Sequence, residues 1–177
     1  MSERIEGKSW ICGDSVTVYQ VLAESHWTMK QMDAEEMSHW VFDELEPRAT
    51  GKKDGFRNLG YDIVIAGKCF GCGSKSVEHP MAALKAAGVK LIIAESTSRY
   101  SYRNAINLAL PVLLCPDITK KVHPDDVLSV DILEGNIKNL TTGEEWSATG
   151  LGPFAGKIIS AGGMTEMIRQ RRKEYGL

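Results

Sequence analysis

"YDIVIAGKCFGCGSKSVEHPMAALKAAGVKLIIAES", residues 61–96, decides the fold. It opens on a short apolar run, 61–67, of the kind found in strands buried on both faces. Residues 79–89, "HPMAALKAAGV", are a run of small helix formers, and Gly88 stands where a left-handed C-cap belongs. A second apolar run, "KLIIAES", follows. Strand, glycine-rich loop, helix, strand suggests a parallel sheet core. Further out, "SYRNAINLAL" (101–110) reads as a helix closed by Pro111, and "PVLLCPD" (111–117) as a third strand.

Upstream, "GKSWICGDSVTVYQVL" (7–22) reads as a strand, a Gly-Asp turn, and then a second strand or short helix. Residues 33–45, "DAEEMSHWVFDEL", predict one helix. Asp33 caps it, Glu36 follows at capping-box spacing, and Met37, Trp40, Val41 and Leu45 share a face. Residues 48–60 predict a polar loop. From 125 to 148 the pattern alternates around the turns at Glu134-Gly135-Asn136 and Thr142-Gly143, which predicts antiparallel hairpins. A helix is expected from Thr165. The fold class is α/β: a central, mostly parallel sheet, flanking helices and added antiparallel hairpins, expected as one domain over 1–177.

The bulk composition fits an ordinary globular chain. It has 177 residues, 43% hydrophobic and 25% charged, with formal net charge -2, and so carries no nucleic-acid footprint. The cluster Arg169, Arg171, Arg172 and Lys173 reads as a solvated helix end, favoured there by the helix dipole. No segment is apolar enough to span a bilayer, and the first ten residues lack the apolar core of a secretory signal. A cytoplasmic chain with reduced Cys12, Cys69, Cys72 and Cys115 is expected.

The loop itself admits several readings. Cys69-x-x-Cys72 supplies two ligands where a structural zinc needs four. A thioredoxin-like pair would open a helix, whereas here glycines flank Cys72 and the helix begins near Pro80. Both cysteines also fit as small half-buried packing residues. Gly71 and Gly73 permit positive φ and close approach by a ligand. A loop between strand end and helix start is where α/β sheets bind anions, and Ser74, Lys75 and Ser76 occupy it. A plain βα loop with Ser74 as helix cap is the competing reading.

Longer matches resolve the choice. "GKCFGCGSKSVEHPMAALKAAGVKLIIAESTSRYSYRNAINLALPVL" (67–113) resembles the small-subunit, or swivel-domain, signature of the aconitase superfamily, roughly F-G-C-G-S-S-R-E-H and then S-F-A-R-I-F-Y-R-N-A-I-N-x-G-L-P. Phe70 to Ser74, Glu78 and His79 match the first part. Ser96, Arg99, Tyr102 to Asn107, Leu110 and Pro111 match the second. The ends "GKSWICGD" and "GKIISAGGMTEMIR" resemble the family's ends. The likeness is nearest to the small subunits of 3-isopropylmalate dehydratase and homoaconitase.

The resemblance implies a swivel-type β/β/α fold and a hydro-lyase or isomerase, active only with a large subunit, that dehydrates and rehydrates a hydroxy di- or tricarboxylic acid. A [4Fe–4S] cluster on that large partner is implied, with none on this chain, whose four cysteines lack a ligand set. Ser74 matches the catalytic serine. Lys75, Ser76, Thr28, Trp27 and Arg99 fall at substrate-binding positions. The resemblance leaves room for a homo-oligomer of the isolated chain.

Two departures accompany it. The family's S-S-R-E-H reads here Ser74-Lys75-Ser76-Val77-Glu78-His79, one residue longer and without the arginine; Lys75 offers positive charge there but not the bidentate fork. The aspartates of G-D-x-I-D-T-D are here Thr17 and Tyr19, and the specificity loop reads His26-Trp27-Thr28-Met29. A changed substrate accounts for these departures. A non-catalytic paralogue that binds a partner subunit or a small carboxylate is the alternative.

Overall fold

The computed structural model describes residues 4–27, 33–73 and 77–174. Strands β1 (Arg4–Ile11), β2 (Ile63–Ala66), β3 (Leu91–Ala94), β4 (Val112–Leu114), β5 (Val127–Asp131), β6 (Asn136–Asn139) and β7 (Glu145–Ser147) form one sheet in the order β4-β3-β2-β1-β5-β6-β7. The β1 to β4 pairings are parallel, and β5 to β7 add antiparallel strands beside β1.

β1 joins the two halves by using different residues for each. Its first half, Arg4 to Lys8, pairs antiparallel with Asp131 to Val127. Its second half, Ser9 to Ile11, pairs parallel with Ile63 to Ile65.

The four residues of β2 and the four of β3 are all buried, because helices and loops cover both faces. Val64, Ala66, Ile92 and Ala94 point to one side, into a core with Trp10, Phe42, Phe56, Met81 and Leu84. Ile63, Ile65, Leu91 and Ile93 point to the other, against Leu113, Val130, Ile137 and Ile158. The two-residue period of a strand thus feeds two separate cores.

Helices α1 (Val18–Val21), α2 (Ala34–Ser38), α3 (His79–Ala86), α4 (Arg99–Asn107), α5 (Ile118–Lys121), α6 (Pro153–Ser160) and α7 (Met164–Glu174) complete the chain. α1 carries a capping box. Thr17 accepts from the Gln20 amide at 3.2 Å, and the Gln20 side chain accepts from the Thr17 amide at 2.9 Å. α3 ends as expected, with Gly88 at φ +99 and the Val89 amide donating to the Leu84 carbonyl. None of the helices among the described residues is long and apolar enough to cross a membrane.

The expected helix over 33–45 is shorter. Asp33 does cap it, accepting from the Glu36 amide at 3.1 Å, but α2 ends at Ser38 and residues 39–45 form turns. The cause is tertiary. Phe42 adopts φ +54 and its amide donates to the Val21 carbonyl, so its ring lies 4.3 Å from Trp10 and 4.9 Å from Phe56. Burying a phenyl ring in that cluster outweighs one more turn of an exposed helix. α5 and α6 carried no separate signal. The Gly-Pro start of α6 is a helix opening that its small residues obscure.

Buried Glu46 ties the 39–61 segment to the sheet. Its carboxylate accepts from the Trp10 indole at 2.7 Å and from Arg48 Nε at 2.9 Å and Nη2 at 3.0 Å. Arg48 also reaches the Tyr61 hydroxyl, which donates to Asp125 at 2.7 Å. The Arg48 guanidinium, helped by its backbone amide and the indole, holds the Glu46 carboxyl down at about 2.

Candidate active-site loop

The loop 67–73 leaves the C-terminal end of β2, flanked by the ends of β1 and β3. That is where a parallel sheet has unpaired backbone groups and room for a ligand. It follows an uncommon path, with Cys69 at φ +57, Gly71 at +68 and Gly73 at +147. Two neighbouring segments hold it.

On one side the turn after β1 clamps it. Ser15 donates its amide to the Lys68 carbonyl at 2.7 Å, Gly71 to Val16 at 2.8 Å, and Val18 to Cys72 at 2.9 Å. Asp14 accepts from the Lys68 amide at 2.8 Å. On the other side lies the turn that opens α4. Phe70 donates to the Ser96 carbonyl at 3.0 Å, the Cys69 amide to Ser96 Oγ at 2.9 Å, and Ser98 back to Phe70 at 2.9 Å. The Gly71 carbonyl accepts two hydroxyls, from Ser98 and Ser101, each at 2.7 Å. A Cβ on Gly71 would run into the Ser101 hydroxyl, so only glycine fits.

Beyond the loop, α3 begins at His79 with Glu78 as its N-cap residue, and Pro80 follows in the first turn. Ser74, the cap in the competing reading, lies outside the described residues. Asn104 of α4 donates to the Val77 carbonyl at 2.8 Å, so α4 holds both ends of the 71–77 stretch.

Three rings stack beside it. Tyr19 lies 5.8 Å from Trp27 at 14°, and Trp27 lies 5.5 Å from His79 at 9°. The Trp27 indole donates to the Leu22 carbonyl at 3.1 Å, and the residue is 9% exposed. Tyr19 packs toward Gly73, since its ring carbons come within about 3.5 Å of where a Gly73 Cβ would stand. Among the described residues, no hydrogen bond joins His79 to Glu78 or to a loop carbonyl. Its Nδ1 is buried without a hydrogen-bond partner among the described residues, and its ring is used for stacking.

Of the candidate residues, Ser74, Lys75, Ser76 and Thr28 lie outside the described residues. Trp27 sits in the aromatic stack, one segment away from the loop. Arg99 is exposed in the first turn of α4, beside the serines that hold Gly71. Glu95 accepts from the Thr119 hydroxyl at 2.5 Å, and neither Arg99 nor Arg103 ion-pairs with it among the described residues. Sequence reasoning missed Ser98 and Ser101. Their spacing of three puts them on one helix turn, but only the fold brings Gly71 to them.

The cysteines do not assemble a metal centre. Cys12 and Cys115 are buried in separate cores. Among the described residues no three His, Cys, Asp or Glu side chains are placed to hold an ion. The donor set does not fit a cluster, which needs three thiolates together even with one iron open.

The aconitase C-terminal domain family matches residues 22–116. The small subunit 1 of 3-isopropylmalate dehydratase from Methanopyrus kandleri is 37% identical over 171 residues, covering 96% of this chain and 95% of its own. The isopropylmalate/citramalate isomerase small subunit from Methanocaldococcus jannaschii is 38% identical, covering 98% and 99%. The crystal structure of a 3-isopropylmalate dehydratase from Methanocaldococcus jannaschii shares the fold, with TM-score 0.84 over 98% of each chain at 24% identity. With more than half its length matched by the family and nearly all of it by such relatives, this chain belongs to the aconitase C-terminal domain family.

Proposed function

We propose that this chain is the small subunit of a heteromeric hydro-lyase or isomerase that dehydrates and rehydrates a hydroxy di- or tricarboxylic acid of the 3-isopropylmalate, citramalate or homocitrate kind. The observation that carries the reading is the end-to-end likeness, at 37% and 38% identity, to small subunits of a dehydratase and an isomerase with such substrates. Residues 1–177 act as one swivel-type unit, in the cytoplasm, docked on a large subunit. That partner carries the [4Fe–4S] cluster, which supplies a Lewis acid for the departing hydroxyl.

The work of this chain is on the proton. Removing hydrogen from the carbon beside a carboxylate needs a placed base, and fixed positive charge where the carboxylate gains electrons. Ser74 is the base. A serine serves only where donors stabilise its alkoxide, and the rigid loop 67–73 at the end of β2 leads directly into it. Lys75 and Ser76 hold a substrate carboxylate, Lys75 standing in for the family arginine. Arg99, at the head of α4, supplies a second positive charge. Thr28 and Trp27 lie against the substrate's variable group, where Thr17 and Tyr19 have removed two acidic side chains of the family pattern. A flatter, less acidic wall suits a substrate whose variable group is apolar.

The same departures favour one second reading, a paralogue without catalysis that binds a partner subunit or a small carboxylate. Mixing the purified chain with its large subunit, reconstituted anaerobically, separates the two. Alkene absorbance across a panel of malate and citrate derivatives should rise only when both subunits are present. A complex that turns over none of them supports the second reading, and turnover by the isolated chain contradicts both.

A further inference from the structure

The pair Cys69 and Cys72 is left over by the proposed reaction, and the fold sets them together. Both are free; Cys69 is exposed and Cys72 half-buried. They stand three residues apart in a turn, with left-handed backbone at Cys69 and again at Gly71. The turn cannot drift open easily. Backbone bonds from Cys69 and Phe70 to Ser96, from Gly71 to Val16 and from Val18 to Cys72 fix every residue in it. The Cys72 thiol donates to the Ser15 carbonyl at 3.6 Å, and burial together with the neighbouring Cys69 side chain pushes it up from the ordinary thiol value. Holding two groups close in sequence on a fixed frame replaces a bimolecular encounter with a local one.

We infer that Cys69 and Cys72 are a reversible dithiol site, oxidised by hydrogen peroxide to an intraloop disulfide and restored by a dithiol reductant. The exposed Cys69 thiolate attacks one peroxide oxygen. The O–O bond breaks, hydroxide leaves, and Cys69 becomes a sulfenic acid. The Cys72 sulfur then attacks the sulfenic sulfur, the S–S bond forms, and the oxygen leaves as water. Two thiols and one peroxide give one disulfide and two waters. Reduction by dithiothreitol reverses the change through a mixed disulfide.

The other cysteines serve as internal controls. Cys12 and Cys115 are buried in separate cores, away from the oxidant and from each other, and burial pushes the Cys12 thiol up to about 12.

Intact-mass spectrometry and peptide mapping after mild peroxide treatment of the purified chain test this. The expected result is loss of two hydrogens, a cross-link between Cys69 and Cys72 within one chain, free Cys12 and Cys115, and full reversal by dithiothreitol. In Cys72→Ser, Cys69 should stop at a sulfenic acid that dimedone traps. In Cys69→Ser, with an unchanged circular dichroism spectrum, the loss of two hydrogens should vanish. Retention of all four free thiols, a disulfide only between chains, or wild-type Cys69 accumulating as sulfenic acid without pairing would each overturn the inference.

Discussion

The Ser101 hydroxyl donates to the Gly71 carbonyl at 2.7 Å, across thirty residues of sequence, and with Ser98 it holds the loop that precedes Ser74. Ser101→Ala removes one of the two donors. A buried hydrogen bond of this kind contributes about 1 kcal/mol, so the urea midpoint should fall by a matching small amount. If Ser74 is the base and this loop aims it, kcat should fall about tenfold while KM changes little. Equal kcat in variant and wild type would show that the clamp does not position the reacting groups.

Gly71→Ala should be worse. The new Cβ meets the Ser101 hydroxyl, and the backbone there has φ +68. Such a residue costs about 1–3 kcal/mol. A lower melting temperature together with loss of activity in the reconstituted complex is expected, and the double variant Gly71→Ala/Ser101→Gly, which clears the clash, should recover part of the stability.

Glu46 predicts an acid limb. Its folded carboxyl titrates at about 2, against 4.5 for the ordinary side chain, chiefly because of the Arg48 hydrogen bonds. A lowered folded value means that the ionised group stabilises the fold fully above pH 4.5, and that this contribution drains away as pH falls toward 2. Glu46→Gln should therefore be less stable at neutral pH, and its stability should fall less over that window. Melting curves from pH 6 to pH 2.5, taken at about 0.15 M salt, give the comparison.

Lys75 supplies charge without a fork. If it grips a substrate carboxylate, Lys75→Ala should raise KM by about 10- to 100-fold, as expected for a charged hydrogen bond of about 1.5–3 kcal/mol. Lys75→Arg should stay within severalfold of wild type in KM. An unchanged KM in Lys75→Ala would assign the carboxylate to another residue.

Much of this was legible in the chain because it is local. The all-apolar β2 and β3, the small-residue α3, the Gly88 stop and the alternating hairpins are set by neighbours within a few positions. The parallel core and its antiparallel extension follow from them. The truncation of the 33–45 helix was not legible, since Phe42 leaves the helix for Trp10 and Phe56, contacts that exist only after the chain has folded. The same holds for the site. Glycines at 71 and 73 signalled an unusual loop, but not that Ser98 and Ser101 would meet its carbonyl. His79 and Trp27 were visible as residue types, whereas their stacking depends on α1 and α3 coming together. Motif resemblance supplied the chemistry that spacing could not, because a serine base is recognised by its surroundings and not by its own side chain.

The central claim is that Ser74 is the base of a two-subunit dehydratase. The measurement that tests it most directly is alkene formation by the reconstituted complex with wild-type and Ser74→Ala chains, each first shown by gel filtration to bind the large subunit. The account predicts an intact complex in both cases, and a kcat in Ser74→Ala lower by at least about 10²-fold, the contribution of a placed general base. Turnover in Ser74→Ala within a few fold of wild type would contradict it.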